Sequence, residues 1–207
     1  MVRSNRRGHG TMTPADLRAA LLAPARFGVA ADLRALTISE PLDFSGASIG
    51  NIDFTGTVFA APVTFKDARF TGLAWFRNCQ FQAEADFSGA LFESDARFDS
   101  ATFQRGVVFS RAEIRGVGSF DAAHVAAPAY LDRIMAVGNL SFERARFDAA
   151  VSFQETECCG GLWLDHAHFA SSIDVRGVEV HGRTWLRDVH TPSDLAKGIT
   201  SYGYTWT

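Results

Sequence analysis

Asp165, His166 and His168 stand together in "DHAH", and with Cys79, Cys158 and Cys159 they are the residues whose types invite chemistry. A carboxylate and two histidines are zinc-ligand types, but a zinc site needs them to converge on one point. Here His166 falls two residues after one apolar position, Leu164, and His168 immediately before another, Phe169, so they point along different sides. The pair is read as solvated surface, and no metal and no cofactor are expected. Three cysteines with neither a CxxC spacing nor an even count suggest no disulfide framework and fit a reducing cytoplasm. Cys79 and Cys158 are expected to be inert inward thiols and Cys159 an ordinary outward one. There is no nucleophile elbow, phosphate loop or HExxH, so no catalytic residues are expected and the chain reads as a non-enzyme.

Chemistry of another kind lies in columns spaced by 22 residues. One column reads Asp53, Trp75, Arg97, Ser119, Ser141, Trp163 and Trp185; two residues further on runs Thr55, Arg77, Asp99, Asp121, Glu143, Asp165 and Arg187. Trp75, Trp163 and Trp185 would share one side with a ladder of four acids, Asp99, Asp121, Glu143 and Asp165. Such a ladder repels itself unless a cation or a partner offsets it. Exposed aromatics beside it are of the kind enriched in interfaces, against the plainer reading of solvated acids with the tryptophans under the chain's own tail. That tail, "ITSYGYTWT", brings Tyr202, Tyr204 and Trp206 into the last six residues.

The element that must position these columns is a repeat. Stepping by eleven from Phe54 to Leu186, and again from Phe59 to Val180, every position is apolar or cysteine. Two residues before each centre stands a second, smaller apolar or neutral residue, as at Ala68, Ala74, Cys79, Ala85 and Ala90. Small-x-large is the alternation of a short extended segment with both residues inward. Alternate steps of five and six drift around a helix of 3.6 residues per turn, which excludes helix. An unbroken period of this kind means a solenoid. Sorted by 22, the column Phe70, Phe92, Ile114, Ala136, Cys158, Val180 shrinks while Phe59, Phe81, Phe103, Val125, Phe147, Phe169 stays large, so one coil is 22 residues. Where Ala136 is smallest, Ile134 restores volume. Four segments per coil make a square prism of about six and a half coils from Phe44 to Leu186, roughly 30 Å long at strand spacing. Pro62, Glu84, Asp95, Gly106, Pro128, Asn139 and Gly161 mark corners, with Pro62 and Pro128 stacked on one of them.

The domain reading follows. Residues 1–12 form a basic extension without structure; residues 13–41 hold a helix, with Thr13 as N-cap, Pro14 at N1, Asp16 at N3 and Leu17, Leu21 and Leu22 on its apolar stripe, covering the open end of the solenoid. Residues 42–190 are the solenoid, and residues 191–207 a helical turn and aromatic tail. Met12 is a second candidate initiator. A net charge of −3 is too mild to argue for nucleic-acid binding, and no apolar run spans a membrane, so a cytoplasmic protein with neither partner is expected.

The unit "ADFSGALF" resembles the pentapeptide repeat proteins, with their A-(D/N)-(L/F)-x-x pattern, over roughly residues 42 to 190. The resemblance implies an all-β, right-handed quadrilateral β-helix, with a short N-terminal capping helix and a C-terminal helical turn plus tail. The chain departs from the simple pattern by one inserted residue in every second segment, which should loosen two of the four corners. Within that family the analogy points to DNA-mimicking modulators of DNA gyrase and other type II topoisomerases, of the quinolone-resistance type, which pair as homodimers through the C-terminus. The mild net charge and outward Arg97, Arg111, Arg115, Arg133, Arg144 and Arg176 argue against a complete mimic. Three expectations result: a scaffold that recognises a protein partner through its Trp and acid side; a precursor or carrier of a ribosomal peptide natural product, with Tyr202, Tyr204 and Trp206 altered by a tailoring enzyme; and a topoisomerase modulator.

Overall fold

The computed structural model describes residues 2–4, 12–23 and 28–207. Two-residue strands repeat along the chain and stack into four parallel sheets, which form the four walls of a prism. Following the chain around one coil, wall I runs from Leu36–Ile38 to His168–Phe169 and wall II from Leu42–Asp43 to Ile173–Asp174. Wall III runs from Ser48–Ile49 to Ile199–Ser201, and wall IV from Ala31–Asp32 to Thr205–Trp206. Wall IV is opposite wall II.

Every Phe of the two series lies inside. Phe54, Phe65, Phe76, Phe87, Phe98 and Phe109 are fully buried, as are the small residues before them, and Ala136 and Ile134 are buried together. Rings stack coil on coil: Phe76 and Phe98 lie 4.9 Å apart at 1°, and Phe98 and Phe120 4.9 Å apart at 5°. Across the lumen they meet edge to face, as Phe98 does with Phe109 at 5.1 Å. Both arrangements suit the ring quadrupole and add about 0.5–1.5 kcal/mol per pair to the burial of apolar area.

Corners are of two kinds. After each Phe54-series centre the second residue takes a positive φ, and at most of them the third donates its N–H back to the centre, as Ala101 does to the Phe98 carbonyl oxygen at 3.0 Å with Ser100 at φ 55°; Ile134 donates instead to the Thr156 hydroxyl at 3.2 Å. These are type II turns, in which glycine or asparagine is usual at the strained position. Here Gly56, Asn78, Gly89 and Gly177 follow that rule, while Ser100, Arg111, Ala122, Arg133, Arg144, Glu155 and His166 occupy the same position elsewhere. The six-residue steps carry the other corners, and on the edge between walls III and IV these are tied across coils. Asn51, Asp95 and Asn139 accept the N–H of Leu73, Val117 and Gly161, each at 2.9 Å. On that edge Gly138 lies so close to the coil below that an added Cβ would stand 2.2 Å from the Gly116 carbonyl oxygen.

The coils extend beyond residues 42–190 at both ends. Successive strands pair at 22-residue intervals through the body, as Ala74 with Ala96, but at 21 in the first coil, as Ala31 with Ile52, and in the last, as Trp185 with Trp206. One residue fewer put these coils out of phase with the repeat. Within the extension expected to lack structure, Val2–Ser4 pair antiparallel with Leu36–Ile38, where the edge of wall I would otherwise leave N–H and C=O groups unpaired; the remainder of residues 1–11 lies outside the described residues. Helix α1 (Pro14–Leu21) has the expected capping box between Thr13 and Asp16 and buries Leu17 and Leu21. Leu22 departs from the predicted stripe: it is the C-cap and 42% exposed. At the other end α2 (Leu195–Gly198) replaces the next strand of wall II and buries Leu195. No helix among the described residues is long and apolar enough to cross a membrane.

Candidate interaction wall

The outer face of wall IV carries Asp53, Trp75, Arg97, Ser119, Ser141, Trp163, Trp185 and Trp206 on successive rungs. Alternation in each two-residue strand puts the small residue inside and its successor outside. The structure thus adds Trp206 to the predicted column, because the tail is laid down as a further coil. Leu186 and Thr184 donate their N–H groups to the Trp206 and Tyr204 carbonyls at 2.7 and 2.9 Å. The Trp206 ring stacks on Trp185 at 4.2 Å and 8°. Tyr202 stacks on His181 at 5.0 Å, and Tyr204 is 78% exposed. A 21-residue step from Trp185 would have found Trp206 in the sequence; a 22-residue step passes it by.

Trp75 is set apart from the other tryptophans by four rungs, about 19 Å at strand spacing. Between them Ser119 and Ser141, 2% and 7% exposed, form a notch in the wall. The notch opens into a groove of about 340 Å³ lined by Arg97, Asp121, Glu143, Trp163, Asp165 and Arg187, among others.

The acid ladder stands where the spacing predicts, and its repulsion is offset from within. Arg97 grips Asp99 through two hydrogen bonds of 3.0 and 3.1 Å, which raise the guanidinium's own pKa. At the other end Arg187 grips Asp165 at 2.8 and 3.2 Å. Ser119 and Ser141 donate their hydroxyls to Asp99 and Asp121. The backbone N–H of Glu143 reaches Asp121 at 3.0 Å, and Glu143 itself pairs with Arg144 at the exposed corner. Hydrogen bonds of this charged kind are stronger than neutral ones. The cations also cover indoles: Arg77 lies 4.3 Å from the Trp75 ring centroid and Arg187 4.9 Å from that of Trp185. The indole N–H of Trp185 is shut away from solvent without an acceptor among the described residues.

Of the residues considered for chemistry, His166 faces Asp188 at 3.5 Å from its corner, while the His168 ring lies 5.8 Å from that of His190 on wall I. Among the described residues no three histidines, cysteines or acids converge as a metal site would require. Cys79 and Cys158 are buried and Cys159 is exposed.

Parallel two-residue strands in four walls, a phenylalanine-filled lumen and 22 residues per coil define the class: a quadrilateral β-solenoid. Residues 54–102 match the family described as pentapeptide repeats (9 copies), and strands of the same unit run on in register to Trp185. No curated protein matches it in sequence.

Proposed function

We propose that the solenoid is a non-catalytic recognition rod that binds a protein partner along wall IV. The observation that carries this reading is the grouping of Trp163, Trp185 and Trp206 on consecutive rungs beside a groove lined by acids and capped by arginines. Large aromatics next to a polar groove that binding would desolvate are what protein interfaces use as anchors. A rod whose core is close-packed presents them with little backbone freedom left to lose on binding.

The carboxylates of the ladder are engaged by arginines, serines and backbone amides, which favours a mixed aromatic and charged interface over a continuous anionic surface. The tail is hydrogen-bonded as a coil and lends Trp206 to the wall, which favours a part in the same surface over a detached substrate segment. The test is comparative capture from extracts of the cell that makes the protein. A partner retained by the wild type should be lost from Trp163→Ala and Trp185→Ala and kept by Tyr130→Ala on the opposite wall. Retention by both wall IV variants would refute the reading.

A further inference from the structure

We infer that the notch at Ser119 and Ser141 is a seat for a guanidinium, so that the partner anchors by an arginine side chain; this rests on wall IV being the binding surface. The molecule supplies the pattern itself. In "WFR" Trp75 is followed two residues on by Arg77, and in "WLR" Trp185 is followed by Arg187, and in both the guanidinium lies over the indole. In "WLD" Trp163 is followed by Asp165 instead. Among the described residues no guanidinium and no second ring lies against Trp163.

The charge of the notch matches. Asp121 accepts hydrogen bonds from the Ser141 hydroxyl and the Glu143 N–H, but among the described residues it makes no ion pair. Arg97, which also lines the groove, is committed to Asp99, and Arg187 to Asp165. Of the four consecutive carboxylates, Asp99 and Asp165 are held by Arg97 and Arg187 and Glu143 by Arg144 at the corner, which leaves Asp121 as the one without an ion pair among the described residues. Nearly buried serines leave room above the middle rungs where arginine or tryptophan side chains stand elsewhere on the wall. A planar cation entering there meets the Trp163 indole and the Asp121 and Glu143 carboxylates together. Guanidinium suits such a place better than ammonium, because it stacks on aromatic faces and forks onto carboxylates. A neutral aromatic occupant would remove water from Asp121 and offer it no charge in return.

The probe is the capped tripeptide acetyl-Gly-Arg-Gly-amide, against the same peptide with citrulline, which keeps the shape and loses the charge. The readout is the four indole N–H signals of the full-length protein, assigned by single Trp→Phe substitutions. With the arginine peptide the Trp163 signal should shift saturably, and citrulline should weaken binding about ten-fold or more. Asp121→Asn, which keeps an acceptor for Ser141 and Glu143, should weaken it similarly and leave the other indole signals in place. Equal response to arginine and citrulline, indifference to Asp121→Asn, movement confined to Trp75 or Trp206, or no saturable shift at all would each overturn the seat. The two readings separate: if the peptide fails while Trp163→Ala and Trp185→Ala still lose the captured partner, the seat falls and the wall stands. If the peptide saturates while both variants retain that partner, the wall reading falls and the seat stands.

Discussion

Asp165 and Arg187 lie one coil apart and are joined three times: the guanidinium reaches the carboxylate at 2.8 and 3.2 Å, and the Arg187 backbone N–H reaches it at 3.0 Å. The Asp165 side chain is 9% exposed and that of Arg187 54%, so the cation remains partly solvated. Arg187→Ala should destabilise by about 1–2 kcal/mol, well under the cost of breaking a fully buried pair. Arg187→Lys should recover only part of it, because an ammonium cannot fork. In a denaturant double-mutant cycle with Asp165→Asn the two losses should fall short of additive by about 1 kcal/mol.

Phe98 contacts phenylalanines in the coils above and below it and across the lumen. Phe98→Ala should cost about 3–5 kcal/mol in chemical unfolding, since walls tied rung to rung cannot collapse into the space. A loss below about 1 kcal/mol would contradict its place in the core.

Ala122 holds φ 54° in its type II turn. Glycine relieves that conformation but frees the unfolded chain, so Ala122→Gly should raise stability by no more than about 1 kcal/mol. Ala122→Val should lower it by about 1–2 kcal/mol, as a β-branched residue is least at ease there. Thermal melts of the three proteins give the order Gly, Ala, Val if the turn is as described.

Hydrogen bonds from His124 and Arg146 hold the Asp148 carboxyl below the usual carboxylate range, and those from Arg176 do the same for Asp174. The unfolded carboxyls take up protons near pH ~3.9, before the folded ones do. In that window the unfolded chain binds more protons, so stability rises with pH. Their contribution is complete above about pH 5 and is lost as pH falls through the folded values. The Tm should drop on acidification from about pH 5 to 3, and Asp148→Asn should make the drop shallower while lowering Tm at pH 7.

Burial pushes the Cys158 thiol up to about 12 and raises that of Cys79 as well. Only thiolate reacts with iodoacetamide. Intact mass after treatment of the native protein at about pH 8 should show one adduct, on Cys159. Adducts on Cys79 or Cys158 without denaturant would place those side chains outside the core.

The core was legible because each inward position needs an apolar residue of a given size, and Phe54 to Leu186 repeat that need in phase. Trp206 and the strand at Ala31–Asp32 were not, because one missing residue in each end coil shifts them out of register. The strained corners escaped notice for a different reason. Arg111, Ala122 and Arg133 are no turn formers, and their φ is imposed by the stacked walls on either side. The acid ladder could be placed from spacing alone. That Ser141 and the Glu143 amide bind Asp121, or that Arg97 and Arg187 close the ladder's ends, depends on contacts between coils that spacing does not describe.

The short end coils also bound what can vary. Between them any whole coil of 22 residues can be added or removed and every column stays in phase, each change moving the ends of wall IV by about 4.8 Å. Arg97 and Arg187, four coils apart, are thus two marks on a gauge about 19 Å long. Its graduations are single coils, and a partner that spans both marks reads a length as well as a chemistry.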